Sequence, residues 1–195
     1  KSNYPEIFLI ADAKRGDIGN TSKMYAKAFF KQMPFDAVTV APYMGRDSVE
    51  PFLQFSDKWT IVLGLTSNKG AYDFQFLPSS DNQKPLYEHV ISTASYWGNP
   101  DNIMFVVGAT QEKQIEAIRK LIPKHFLLVP GIGAQGGSLE KVSDYGMNAH
   151  CGLLINSSRS IIFNDSSRNF AEAAKNKAEE MQHYMAIQLE KHKII

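Results

Sequence analysis

One cysteine in 195 residues rules out an internal disulfide. Cys151 stands in the apolar run Cys151-Gly-Leu-Leu-Ile155, which predicts a buried, reduced thiol in a cytoplasmic protein. No electropositive neighbour is evident that would make it a nucleophile. An excess of one charge is missing too: 21 basic and 20 acidic residues leave a formal +1. That balance gives no reason to expect a nucleic-acid polymer or an anionic membrane as partner. No apolar run approaches the roughly 20 residues that cross a bilayer. His89, His125, His150, His183 and His192 lack metal-ligand spacing, so no metal is predicted, and His150 beside Cys151 reads as structural.

What is present is apolar residue in short runs. The 44% hydrophobic content suits one sizeable core and a single domain over residues 1–195. Strands are predicted at 7–11, 37–41, 60–65, 104–107, 126–129 and 152–155, with amphipathic stretches between them. Ile115, Ile118 and Ile122 form one helical stripe, with Thr110 as N-cap and Pro123 as stop. In the last stretch Phe170, Ala174, Ala178, Met181, Met185 and Leu189 share a face that reads as core. Strand–helix–strand repetition means parallel strands with crossover helices, either a closed eight-stranded barrel or an open doubly wound sheet. Six strands fit the (β/α)8 TIM barrel if two βα units precede Lys1, making these strands 3–8. The polar stretch 68–84 is the longest irregular region, of the kind that is functional or mobile.

The first strand ends in charge: Phe8-Leu-Ile-Ala-Asp-Ala-Lys-Arg-Gly-Asp-Ile-Gly-Asn-Thr21. Alternation places Phe8, Ile10, Asp12 and Lys14 on one face. If that face points into a barrel, Asp12 and Lys14 project at the C-terminal mouth, where barrel enzymes place their chemistry. Asp17, past a turn opened by Gly16, could reach its own Lys14 or point across a subunit interface. Carboxylates around a lysine favour its ammonium form, which suits a positioned acid and not a Schiff base. A bare Asp-x-Lys is equally an ordinary ion pair at a strand end; the wider Asp-x-Lys-x-x-Asp-Ile-x-x-Thr is more specific.

Later comes Val129-Pro-Gly-Ile-Gly-Ala-Gln-Gly-Gly137, whose glycines let backbone N–H groups approach an anion. A dinucleotide fingerprint is a weak match, because no ribose-binding acid follows in a βαβ unit. As the loop after a seventh barrel strand it suits phosphate, and the eighth strand would then be followed by Asn156-Ser-Ser-Arg-Ser160. Arg159 supplies a fork of donors, with Gln135 and backbone N–H groups completing the cradle. The segment Leu65-Thr-Ser-Asn-Lys-Gly-Ala71 lies at another strand end and by itself reads only as a turn.

These three segments, in this order, resemble the orotidine 5′-monophosphate decarboxylases, and Ala11-Asp-Ala-Lys-Arg-Gly-Asp-Ile-Gly-Asn-Thr21 resembles their bacterial branch. The resemblance runs from about Ile7 to the final helix. It implies a carbon–carbon lyase of pyrimidine biosynthesis, independent of metal and organic cofactor, acting on orotidine 5′-monophosphate. Asp12 and Lys14 match the catalytic aspartate and lysine. Asp17 matches an aspartate that acts in the partner site of a homodimer, and Ile18 and Thr21 match residues lining base and ribose there. Ser67 matches the serine that reads the pyrimidine edge, with Asn68 its neighbour. Pro130 matches a proline beside the pyrimidine, and Gln135 and Arg159 match the phosphate ligands. Many relatives carry glycine where this chain has Ser158, whose N–H stays available. The resemblance also implies an aspartate and a lysine of the site on two strands before Lys1. Sugar-phosphate decarboxylases and aldolases of the same superfamily, usually magnesium-dependent, share Asp-x-Lys-x-x-Asp. A non-catalytic phosphate-binding barrel is the third reading.

Overall fold

Among the described residues, six strands alternate with helices in an α/β arrangement, at positions close to those the apolar runs predict. The structure, a computed structural model, describes residues 1–80, 83–133 and 138–195. The chain forms two compact units, Lys1–Val106 and Val107–Ile195. No described helix is long and apolar enough to cross a membrane.

The first unit contains β1 (Ile10–Arg15), α1 (Gly19–Lys27), β2 (Ala37–Val40), α2 (Arg46–Leu53), β3 (Trp59–Leu65), α3 (Ala71–Phe74), α4 (Leu86–Ser95) and most of β4 (Ile103–Val107). β2 pairs in parallel with β1 and with β3, and β4 follows β3 in the sheet. β2 and β4 are buried along their whole length, as parallel strands covered on both faces must be. Beyond α1 the chain widens into a π turn over Ala28–Gln32, closed by the Met33 N–H on the Ala28 carbonyl at 2.9 Å. That turn buries Phe30 edge-on against Phe52, with ring centroids 6.2 Å apart. The buried Ser22 hydroxyl donates to the Ser48 carbonyl at 2.8 Å and ties α1 to α2.

β1 departs from expectation. It starts at Ile10, not residue 7, and runs on to Arg15, while Phe8 lies outside it and is 42% exposed. Phe8 thus drops out of the predicted alternation, while Asp12 and Lys14 of β1 still meet, side chain to side chain, at 2.6 Å. Its register slips: Ala11 faces Val38 and Arg15 faces Val40, so four steps of β1 match two of β2. Lys14 sits inside this bulge at φ 44, a left-handed conformation that breaks the period of two.

The second unit contains α5 (Glu112–Leu121), β5 (Leu127–Pro130), α6 (Leu139–Gly146), β6 (Leu153–Asn156), α7 (Arg159–Ile162) and α8 (Phe170–Lys191). β5 and β6 pair in parallel, from Leu127 opposite Leu153 to Pro130 opposite Asn156. Ile115, Ile118 and Ile122 are all buried, each contributing roughly 1.5–3 kcal/mol. Gln111, not Thr110, is the N-cap of α5, and the helix stops at Leu121, before Pro123. The face of α8 is also corrected. Phe170 and Ala178 are exposed, Met181, Met185 and Leu189 are half-buried, and Gln188 is the buried residue of the helix. Cys151 is half-buried rather than buried, at φ 69. Gly152 follows at φ 67, where a Cβ would stand 2.5 Å from Asn148, so only glycine fits.

Arg119 holds this unit together. Buried on α5, it donates to the carbonyls of Gly146 (2.7 Å), Ile122 (3.1 Å), His125 (2.6 Å) and Gly152 (2.9 Å). Burial lowers its pKa to about 10, so it stays charged at neutral pH, next to the carboxyl-terminal end of α6 that a cation favours. Burial and this guanidinium also hold the His125 imidazole below its ordinary pKa. Replacing Arg119→Met keeps much of the volume and removes a donor from each of four carbonyls, of which Ile122 and Gly152 keep the N–H groups of His125 and Leu127. Denaturant unfolding should show a loss of about 3 kcal/mol or more; a loss under about 1 kcal/mol would mean water replaces the guanidinium without penalty.

Candidate active site

The bulge in β1 delivers its charges together. Lys14 Nζ donates to Asp12 Oδ1 at 2.6 Å, and both side chains are more than half exposed. An ion pair so open to water contributes about 0–1 kcal/mol, so stability is no reason for a strained lysine here. Asp12 is the one carboxylate paired with Lys14 among the described residues. Asp17 does not reach Lys14; its Oδ1 accepts the Ile18 N–H at 2.8 Å. Ile18, 52% exposed, is the N-cap of α1, and Thr21 is exposed on its first turn. Gly19 at φ 54 turns the chain into that helix.

Thr39, absent from the sequence-derived set, lies under this pair. Its Oγ1 accepts the Lys14 N–H at 2.9 Å and donates to Asp12 Oδ1 at 3.0 Å. Arg15, next along β1, lies over the Tyr25 ring at 5.3 Å and away from the pair.

The loop after β3 carries Ser67 and Asn68. The Ser67 hydroxyl is buried and has no hydrogen-bond partner among the described residues, a costly condition that a ligand would relieve. Asn68 is exposed, and its Oδ1 accepts from the Thr66 hydroxyl at 2.6 Å. Gln75 pins the loop: its Oε1 accepts the Thr66 N–H at 2.9 Å and its Nε2 donates to Thr66 Oγ1 at 2.8 Å. Sequence reasoning missed Gln75 because a glutamine nine residues away carries no motif.

In the second unit, half-buried Pro130 ends β5, and Gly131 (φ 100) and Gly133 (φ 78) open the glycine-rich loop. Gln135 lies outside the described residues. The Ser157 hydroxyl donates to the Ile132 carbonyl at 3.0 Å and shares a short hydrogen bond with Ser160, so the loop after β6 holds the start of the loop after β5. Ser158 is exposed and donates to Asn156 Oδ1 at 3.2 Å. Arg159, first residue of α7, is exposed and has no ion pair among the described residues.

The profile of the Orotidine 5′-phosphate decarboxylase / HUMPS family matches residues 1–175. The chain belongs to this family. An orotidine 5′-phosphate decarboxylase of Christiangramia forsetii is 62% identical over 190 residues, 97% of this chain and 69% of the relative. One from Bacteroides fragilis is 59% identical over 189 residues, with the same coverage of each. Among solved structures, the Leishmania donovani OMP decarboxylase superposes with a TM-score of 0.78 at 40% identity, covering 92% of this chain and 68% of that one. The family match spans β1 with its charged end, the Ser67 loop and the loops after β5 and β6 alike.

The Gln75 clamp can be tested by limited proteolysis, because exposed Lys69 lies in the loop it holds. Gln75→Leu removes two hydrogen bonds, worth about 1 kcal/mol each, so tryptic cleavage after Lys69 should quicken about tenfold or more. An unchanged cleavage rate would mean that the loop is held by something else.

Proposed function

We propose that the chain decarboxylates orotidine 5′-monophosphate to uridine 5′-monophosphate, as a carbon–carbon lyase of pyrimidine biosynthesis. The reading is carried by family membership together with one observation: a strained lysine, paired with an aspartate at 2.6 Å, at the end of β1. The six strands correspond on this reading to strands 3–8 of a (β/α)8 barrel, whose chemistry sits at the carboxyl ends of its strands.

Breaking the bond from C6 to the carboxylate leaves an electron pair on C6 in the ring plane, where the π system cannot absorb it. Placed positive charge must stabilise that pair, and a proton must then replace the departing carbon dioxide. Lys14 serves for both. Its ammonium offsets the developing charge and then gives its proton to C6. Asp12 holds the ammonium and lies beside the departing carboxylate. Ser67, whose buried hydroxyl has no partner among the described residues, reads the pyrimidine edge, with Asn68 next to it and Pro130 beside the ring. Arg159, free of an ion pair among the described residues, grips the phosphate with Gln135 and the Ser158 N–H. Binding energy from that remote group is then available at the reacting carbon.

A homodimer completes the proposal. Asp17, Ile18 and Thr21 sit at the start of α1, where the latter two are exposed and Asp17 leaves Lys14 to Asp12. Such a placement suits contact with the substrate of a partner subunit. The sugar-phosphate enzymes of the superfamily are the second reading, and the Ile18 and Thr21 pair disfavours them.

The ultraviolet absorbance of orotidine 5′-monophosphate should fall on mixing with the protein. Lys14→Ala should lower turnover by a factor of about 10⁴ or more while uridine 5′-monophosphate binding persists; Arg159→Ala should chiefly raise KM. Turnover in Lys14→Ala near that of the parent would remove the lysine from the mechanism. Chelator-sensitive turnover of a sugar phosphate would favour the second reading.

A further inference from the structure

We propose that Thr39 is a positioning residue that sets the geometry of the Lys14–Asp12 pair, an inference that rests on the function proposed above. Thr39 is fully buried in the middle of β2, among Ala37, Val38 and Val40, which are fully buried too. A hydroxyl in that setting is unfavourable unless hydrogen-bonded, and this one is bonded in both directions, each time to the charged pair's own residues. As acceptor it takes the Lys14 backbone N–H at 2.9 Å. As donor it has one proton and two neighbours, Asp12 Oδ1 at 3.0 Å and the Ala11 carbonyl at 3.5 Å. The shorter contact, to an ionised acceptor, takes the proton.

The bulge explains why a side chain is needed. Between Ala11 and Arg15 the ladder to β2 is interrupted, and Lys14 at φ 44 turns its N–H out of the regular pattern. A left-handed lysine persists only where its surroundings over-determine it. Thr39 replaces the missing ladder partner. The same Asp12 Oδ1 also accepts Lys14 Nζ at 2.6 Å, so a closed ring forms. It runs from the Lys14 amide to the Thr39 hydroxyl, on to the Asp12 carboxylate and back to the Lys14 ammonium. One buried hydroxyl thereby fixes the lysine at its backbone and, through the aspartate, at its tip. Thr39 does not touch substrate in this account; it acts through Asp12 and Lys14.

Thr39→Val removes the hydroxyl at nearly constant volume, and Thr39→Ser restores it. In Thr39→Val, kcat for orotidine 5′-monophosphate should fall roughly 100-fold, as for a misplacement of about 1 Å, with KM changed little. Thr39→Ser should recover most of that loss. A readout independent of turnover is amide hydrogen exchange at Lys14, which should quicken about tenfold in Thr39→Val and stay slow in Thr39→Ser. Unchanged kcat together with unchanged Lys14 exchange in Thr39→Val overturns the assignment, as does a loss that Thr39→Ser fails to restore. Absence of turnover in the parent would instead defeat the proposed function, and the exchange measurement would then decide Thr39 by itself.

Discussion

The charged end of β1 depends on one backbone residue held in an unfavourable conformation. Lys14 is at φ 44 within a strand, and the register of β1 slips by two residues around it. Regular pleating would send Asp12, Ala13 and Lys14 to alternating faces and would spend their amides on the ladder. The bulge instead frees the Lys14 N–H for Thr39, while Lys14 Nζ stays on Asp12 Oδ1. β2 can host this arrangement because Thr39 is fully buried in it, as are Ala37, Val38 and Val40.

The two units divide the labour by chemistry. The first carries the groups to which the proposed mechanism assigns the reaction: a cation on a short tether to a carboxylate, and a serine hydroxyl without a partner among the described residues, on a loop clamped by Gln75. The second carries glycines at positive φ, hydroxyl-bearing loops and an arginine without an ion pair among the described residues, the donor set that suits a phosphate. Its stability comes from elsewhere, from the Ile115, Ile118 and Ile122 stripe and from Arg119 bound to four carbonyls. The residues that stabilise the unit are thus separate from those assigned to the ligand, of which Ser158 and Arg159 are exposed.

The alternation of strand and helix was legible because buried parallel strands such as Ile103–Val107 are apolar throughout. Asp12 and Lys14 were legible too, through the wider Asp-x-Lys-x-x-Asp-Ile-x-x-Thr pattern and not through the ion pair by itself. Three things were not. A threonine in a Val-rich run reads as a strand former, so the hydroxyl of Thr39 carried no signal until its partners were known. Arg119 follows the isoleucine stripe by one residue and reads as a surface charge; only the fold brings four carbonyls to it. The path of β1 was misjudged because a period of two cannot announce a bulge, which depends on the neighbouring strand.

The most direct test is the structure of the protein with uridine 5′-monophosphate bound. The account predicts that C6 of the pyrimidine lies within hydrogen-bonding distance of Lys14 Nζ, that Nζ still contacts Asp12 Oδ1, and that the Ser67 hydroxyl bonds the ring edge. A pyrimidine seated away from the end of β1, or a Lys14 turned from it, would contradict the assignment of the chemistry to this pair.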